Sequence, residues 1–187
     1  MTSPEQYVPG PASAQVRKEG DTWTLVLVRD LRHPPARVWQ ALTDPEQLRQ
    51  WAPFDSDTSL AAAGVTAKLT TVGAPQHFVS DTTVKRAEPN KLLEFEWGGG
   101  NTRWELEPPA SGGTRLTLWA NIAKNFISMG AAGWHICLDV LERHLGGAPI
   151  GRMAGMEVMK FPGWQRLNAE YAKQFGVEIP KWNAPKS

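Results

Sequence analysis

The chain of 187 residues has 20 basic and 19 acidic side chains and a formal net charge of +1. Its length suits one domain, or one domain with an extension, and is sufficient for a hydrophobic core without cross-links. The near-zero charge excludes the strong positive field on which non-specific nucleic-acid binding relies, so nucleic acid is not an expected partner.

The sequence also limits the cellular setting. A single cysteine, Cys137, excludes an intrachain disulfide and a cysteine-rich zinc site. The N-terminal residues have neither the basic nor the apolar region of a signal peptide, and no segment approaches the ~18 consecutive apolar residues of a membrane helix. We therefore expect a cytoplasmic protein that does not insert into membranes.

The N-terminal third begins without periodicity. Residues 1–15 are rich in Pro, Ser, Ala and Gly and predict a mobile leader. From Asp21 onward apolar residues alternate, which predicts a strand with one buried face. Pro34 and Pro35 then open a short helix, and Asp44 caps a second one that runs to Trp51.

A run of short β segments follows these two helices. Gly- and Pro-rich turns divide it into strands near 55–60, 64–72, 79–88, 91–97, 101–107 and 114–121. The connections are too short for crossover helices, so the sheet is predicted to be antiparallel. The last three strands alternate apolar with charged or polar residues, which predicts one dry and one wet face.

Residues 126–145 return to helical periodicity and end at Gly146-Gly147. Their apolar stripe is expected to cover the dry face of the sheet. Ile136 and Val140 lie on the opposite side of this helix, so something must cover them as well. The first candidate is a second amphipathic helix within 150–187; a homodimer contact is the alternative.

Three segments resemble a known group of proteins. The runs LVRDLRHPPARVWQALTDPEQLRQW, FEWGGGNTRWELEPPASGGTRLTLW and AAGWHICLDVLERHLGG are similar to the START-like (helix-grip, SRPBCC) superfamily. The similarity is to the branch related to the C-terminal domain of the activator of the 90-kDa heat-shock protein ATPase, including its bacterial members, and it covers roughly residues 20–147.

The resemblance implies an α+β helix-grip fold. A curved antiparallel sheet of about six to seven strands would wrap around a long C-terminal helix, with two short helices after the first strand and, in many relatives, a hydrophobic molecule in the cavity between sheet and helix. It implies a START-like domain over 16–147 and a C-terminal helical extension over 148–187 that packs on the domain.

No catalytic signature is present, and no cofactor is predicted. His135, Cys137, Asp139 and His144 have metal-ligand atom types, but helical geometry directs Cys137 and His144 away from the other two, so no metal site is expected. His135 lies at the edge of the apolar stripe. It either contacts the polar end of a ligand and moves a proton, or bonds to a neighbouring carbonyl or carboxylate as a structural histidine.

Aromatic residues supply the remaining functional signal. A sheet face and a helix this rich in rings are expected to leave irregular gaps, and so a cavity. The predicted ligand-binding residues are Trp51, Phe54, Phe95, Trp97, Trp104, Leu118, Trp134, His135 and Leu138.

The predicted function is binding of a small hydrophobic or aromatic ligand in this cavity. One alternative is an enzyme of the cyclase or dehydratase kind that uses the same cavity. The other is a protein-interaction module, similar to the chaperone-cofactor relatives, in which 148–187 contacts a protein partner.

Overall fold

The computed structural model describes residues 3–74 and 78–180. Its α-helices are α1 (Pro35–Thr43), α2 (Pro45–Leu48), α3 (Ile127–Leu145) and α4 (Pro162–Phe175). Its strands are β1 (Gln15–Glu19), β2 (Thr22–Leu31), β3 (Phe54–Ser56), β4 (Thr66–Thr71), β5 (Val79–Thr83), β6 (Arg86–Glu88), β7 (Leu92–Trp97), β8 (Gly100–Glu107) and β9 (Thr114–Asn121). Short 3₁₀ helices lie at Pro4–Gln6, Lys124–Phe126 and Val158–Lys160. This order of elements is the predicted α+β arrangement.

The strands form an antiparallel sheet of six strands in the order β1-β2-β9-β8-β7-β6 and a smaller sheet of three in the order β3-β4-β5. The two sheets meet where the chain passes from β5 to β6. There Val84 pairs with Val65 beside β4, and the next residue, Lys85, donates its backbone N–H to the Glu94 carbonyl on β7 at 2.8 Å. The sequence predicts one strand over 79–88, but this change of partner divides it into two.

The predicted dry face of the sheet is confirmed by burial. Leu93 and Phe95 on β7 are almost fully buried, and so are Leu116 and Leu118 on β9. The residues between them are charged or polar and partly or fully exposed, as the alternation requires. Helix α3 lies across this face, which gives the helix-grip fold.

The opposite side of α3 is covered by α4. Ile136 and Val140 are at most 1% exposed, and the facing α4 residues Leu167 and Tyr171 are 0% exposed. Gly176 ends α4 in the left-handed conformation. The cover for the second apolar side of α3 therefore comes from the same chain. Trp182 and the other residues of the extension beyond 180 lie outside the described part.

The N-terminal region differs from the predicted mobile leader. Tyr7 is 2% exposed and stacks on Phe161 with ring centroids 5.9 Å apart, and the Ala12 N–H donates to the Glu170 carboxylate at 3.0 Å. Residues 3–14 therefore pack along α4. Strand β1, which pairs with β2, begins within this predicted leader; its sequence QVRKE is too charged to show apolar alternation, as is common for an edge strand.

The α3–α4 contact should contribute strongly to stability. Replacing Leu167 by Ala removes a fully buried side chain, and we expect the free energy of unfolding to fall by about 2–4 kcal/mol. Gln174→Ala on the exposed side of the same helix is the matched control and should change it by less than about 0.5 kcal/mol. Urea denaturation followed by circular dichroism measures both; equal small effects would contradict the packing of α4 on α3.

Candidate functional site

A cavity of about 580 Å³ opens at one end of the helix grip. Three walls enclose it: the β7–β8 turn with the end of β9, the N-terminal half of α3, and the chain between α3 and α4. Gly98, Gly99 and Phe126 at the rim are exposed, whereas Thr102 and Cys137 deeper in are buried. The cavity thus leads from the surface to the buried interior between sheet and helix.

The turn at the rim requires glycine. Gly98 and Gly99 form the two-residue connection between β7 and β8, with φ of 64° and 80°. Two positive φ values in a two-residue hairpin loop are the mark of a type I′ turn, which side-chain-bearing residues adopt with difficulty. The turn therefore offers the cavity mouth backbone atoms rather than side chains.

The wall on α3 is one helical stripe. Its residues recur at intervals of three and four along the first eleven residues of the helix and consequently share one side. They are Met129, Gly130, Gly133, Trp134 and Cys137. Two of the five are glycines in the middle of a helix. Because they have no side chain, the cavity extends closer to the helix backbone there than it would beside larger residues.

The third wall is the segment 150–160, called here the strap. It has no regular structure until its short 3₁₀ helix, yet it is held at two places. Arg152 Nη1 lies 2.5 Å from Asp55 Oδ1 on β3, and the Met156 N–H donates to the Gly73 carbonyl at 3.3 Å. A Cβ at Gly155 would lie 2.6 Å from the Val72 carbonyl oxygen, so only glycine permits this approach.

The strap contributes Met153, Ala154, Gly155, Val158 and Met159 to the cavity, and α4 contributes Trp164. Sequence reasoning missed all of these, because the strap has no periodicity. It also missed the two α3 glycines and Met129. Two glycines within a helical pattern were the one available signal, since glycine inside a helix usually has a packing or functional reason.

Of the nine predicted ligand-binding residues, Trp97 and Trp134 line this cavity. Their rings are 5.7 Å apart in a T-shaped contact. The remaining four rings continue the same contacts into the interior: Trp51–Trp104, Trp104–Trp134, Phe54–Trp97 and Phe54–Phe95, at 5.2–5.9 Å between centroids.

Trp51, Phe54, Phe95 and Trp104 are therefore filled core, together with Leu118 and Leu138, which are at most 1% exposed. The expectation that a ring-rich face leaves gaps does not describe this region. The rings meet edge to face or tilted at favourable distances and close the space. The open volume lies beyond the last two rings, where the residues are small.

No charged side chain lines the cavity among the described residues. Its one titratable group is the Cys137 thiol, whose pKa is raised by burial to about 12, so the thiol is neutral at physiological pH. The Trp97 indole N–H is buried without a hydrogen-bond acceptor among the described residues. Leaving a buried donor without a partner costs about 1–3 kcal/mol.

His135 lies on another side of α3 and is absent from the cavity wall. Its Nδ1 is 2.8 Å from the Tyr171 hydroxyl, which itself accepts the Ser13 N–H at 3.2 Å. Its Nε2 is 3.6 Å from Asp139 Oδ2, a carboxylate that also accepts the Tyr7 hydroxyl. His135 thus joins the N-terminal segment, α3 and α4 in one buried polar cluster.

Burial, with help from the nearby Arg29 guanidinium, lowers the pKa of His135 to about 4. The ring is therefore neutral at physiological pH and carries one N–H. Tyr171, whose oxygen accepts from Ser13, has its proton free to donate to Nδ1, which leaves Nε2–H facing Asp139. The two remaining metal-type residues lie apart: Cys137 contacts the Met153 carbonyl, and His144 Nε2 bonds to Gln47 at 2.8 Å.

The family model for "Activator of Hsp90 ATPase homolog 1-like protein" matches residues 32–146. The chain belongs to this family. The match covers α1 through α3 and ends just before the strap. The strap therefore lies outside the part of the chain that the family model matches.

Solved structures share the fold at low sequence identity. Protein EF2215 from Enterococcus faecalis, of unknown function, superposes with a TM-score of 0.65 at 20% identity over 88% of this chain and 92% of its own. CalU16 from Micromonospora echinospora gives 0.62 at 18% over 88% and 94%, and the BPP1335 protein from Bordetella parapertussis gives 0.61 at 24% over 97% of both chains. Comparison with curated protein sequences gives no significant match.

Within the described part of this family member, no helix combines the length and hydrophobicity that crossing a bilayer requires.

The depressed pKa of His135 predicts acid sensitivity. In the unfolded chain His135 is protonated below about pH 6.5, whereas in the folded chain it stays neutral down to about pH 4. Stability from this residue is therefore present above pH 6.5 and is lost as the pH falls towards 4, by up to about 3 kcal/mol. His135→Gln should weaken this dependence in urea denaturation between pH 7 and 4. His33→Gln, outside the cluster, should keep it; equal slopes in all three proteins would contradict the assignment.

Proposed function

We propose that this chain binds a small hydrophobic or aromatic molecule in the cavity between the sheet, α3 and the strap. The observation that carries this proposal is the composition of the walls: rings, thioethers and glycines, without a charged side chain among the described residues. Family membership supports the fold. The apolar side chains of the walls support a hydrophobic or aromatic ligand. A cavity of this volume with mostly apolar walls is typical of small-molecule binding sites.

Burial supplies the binding energy. At about 25 cal/mol per Å² of apolar surface, a two-ring compound of roughly 300 Å² gains about 7.5 kcal/mol before the cost of immobilising it. We therefore expect dissociation constants in the micromolar range or weaker for generic ring compounds. Methionine side chains at Met129, Met153 and Met159 adapt to irregular shapes and make favourable contacts with aromatic rings.

Neither alternative function gains a specific observation. A cyclase or dehydratase would need an acid or base at the cavity, but His135 faces α4 and the Cys137 thiol is neutral. A protein-interaction role for 148–187 would use the apolar side of that segment. Within residues 148–180 this side is already buried against α3 through Trp164, Leu167 and Phe175.

The first test is a variant that fills the cavity. Ala154 lies in the strap on the cavity wall, and Ala148 is an exposed alanine just before the strap. Ala154→Phe should lower the affinity for the neutral fluorescent compound N-phenyl-1-naphthylamine at least about tenfold, because the new ring occupies ligand space. Ala148→Phe adds the same surface outside the cavity and should bind as the wild type does.

Fluorescence titration measures both affinities, and native mass spectrometry of protein from its own host detects a retained molecule directly. Absence of saturable binding by the wild type to any uncharged ring compound would overturn the proposal. So would equal affinities of the two Phe variants.

A further inference from the structure

Gly133 stands in the middle of α3 without a packing reason. A glycine in a helix interior costs about 0.5–1 kcal/mol relative to alanine. At Gly130 a Cβ would lie 2.6 Å from the Ile122 Cδ1 atom, so the end of that side chain would have to move. At Gly133 a Cβ would meet no atom within 4 Å in the described chain. Gly133 leaves open space in the cavity, and the protein gains no contact in return.

Thr102 places a hydroxyl on the dry face of the sheet. It lies on β8 opposite Phe95 and Ala120, lines the cavity and is 2% exposed. The Thr102 hydroxyl forms no hydrogen bond with the described residues. It also differs from the Trp97 indole N–H, which is fully sealed from solvent. Thr102 therefore contributes to the cavity wall a hydroxyl without a partner among the described residues. A valine would fill the same volume without an unpaired polar group.

Two other polar side chains on the walls already have a hydrogen-bond partner. The Asn121 side chain donates to the Thr24 hydroxyl at 2.8 Å, and the Cys137 thiol contacts the Met153 carbonyl. The Trp97 indole N–H is sealed. Thr102 is therefore one of the polar side chains on the described walls that can hydrogen-bond a ligand, and its hydroxyl can both donate and accept.

We infer that Gly133 and Thr102 determine which molecules the cavity accepts. The ligand is an uncharged, flat ring compound: its ring occupies the space left by Gly133 on the helix wall, and one polar substituent hydrogen-bonds the Thr102 hydroxyl on the sheet wall. This inference rests on the proposed function and adds the ligand class and the two residues that select it.

Charge and shape support this ligand class. A carboxylate or ammonium group would enter a space without a counter-charge on the described walls and would lose its hydration there. Trp97 and Trp134 present rings at the cavity floor, and edge-to-face or offset contacts with these rings favour an aromatic ligand over a flexible chain.

Thr102→Val tests the polar contact with a matched pair of probes. 2-Naphthol and 2-methylnaphthalene have nearly the same size and differ in one group, a hydroxyl against a methyl. Thr102→Val should weaken 2-naphthol binding about tenfold, the usual effect of losing one hydrogen bond in a buried site. It should leave 2-methylnaphthalene binding within about twofold. Equal changes for the two probes would overturn the role of Thr102.

Gly133 is tested by separating stability from binding. Gly133→Ala should raise the Tm by about 2–4 °C, because alanine favours the helix and meets no neighbour. The same change should weaken binding of both probes, and Gly133→Leu should abolish it while the protein stays folded. Gly130→Ala is the matched control and should raise the Tm less than Gly133→Ala does, because the Ile122 Cδ1 atom would have to move. Wild-type affinity in Gly133→Leu would overturn the role of Gly133.

The outcomes separate this inference from the proposed function. If the wild type binds both probes but the variants at 102 and 133 bind them equally well, the inference fails and the proposed function stands. If the wild type binds neither probe nor any other uncharged ring compound, both fail.

Discussion

The structure depends on the burial of α3 on several sides. The sheet covers the side with Ala131 and Leu138, and α4 covers the side with Ile136 and Val140. A third side faces the cavity along its N-terminal half. A helix that is apolar on so many sides is unstable at a surface, so it requires cover from outside the sheet. The C-terminal extension and the N-terminal segment meet this requirement.

The same helix decides where the interior is full and where it is open. Around Trp51, Phe54, Phe95 and Trp104 the contacting rings and the leucines beside them leave no room. The N-terminal half of α3 has two glycines on the cavity wall, Gly130 and Gly133, and the adjacent β7–β8 turn consists of glycines too. The cavity is thus a consequence of missing side chains on two facing walls, and the strap closes the space from the third.

The sequence predicted those features that depend on periodicity. Alternation at Leu93, Phe95 and Trp97 identified the dry face, and helical spacing identified α3 and its two apolar sides. The site was predicted less well. Trp97 and Trp134, which line the cavity, were named because large rings are conspicuous, whereas Met153 and Met159 lie in a segment without periodicity. Whether His135 faces the cavity or α4 depends on where α4 packs, which spacing within α3 alone cannot reveal.

The polar cluster and the cavity are separate sites joined by one helix. Tyr171, which bonds to His135, and Trp164, which lines the cavity, lie seven residues apart on α4 and so share one side of it. His135 remains neutral above about pH 4 because it is buried beneath this helix. Any change that loosens α4 to admit water to the cluster also displaces a cavity wall. The polar cluster and the cavity wall are therefore connected through the packing of α4.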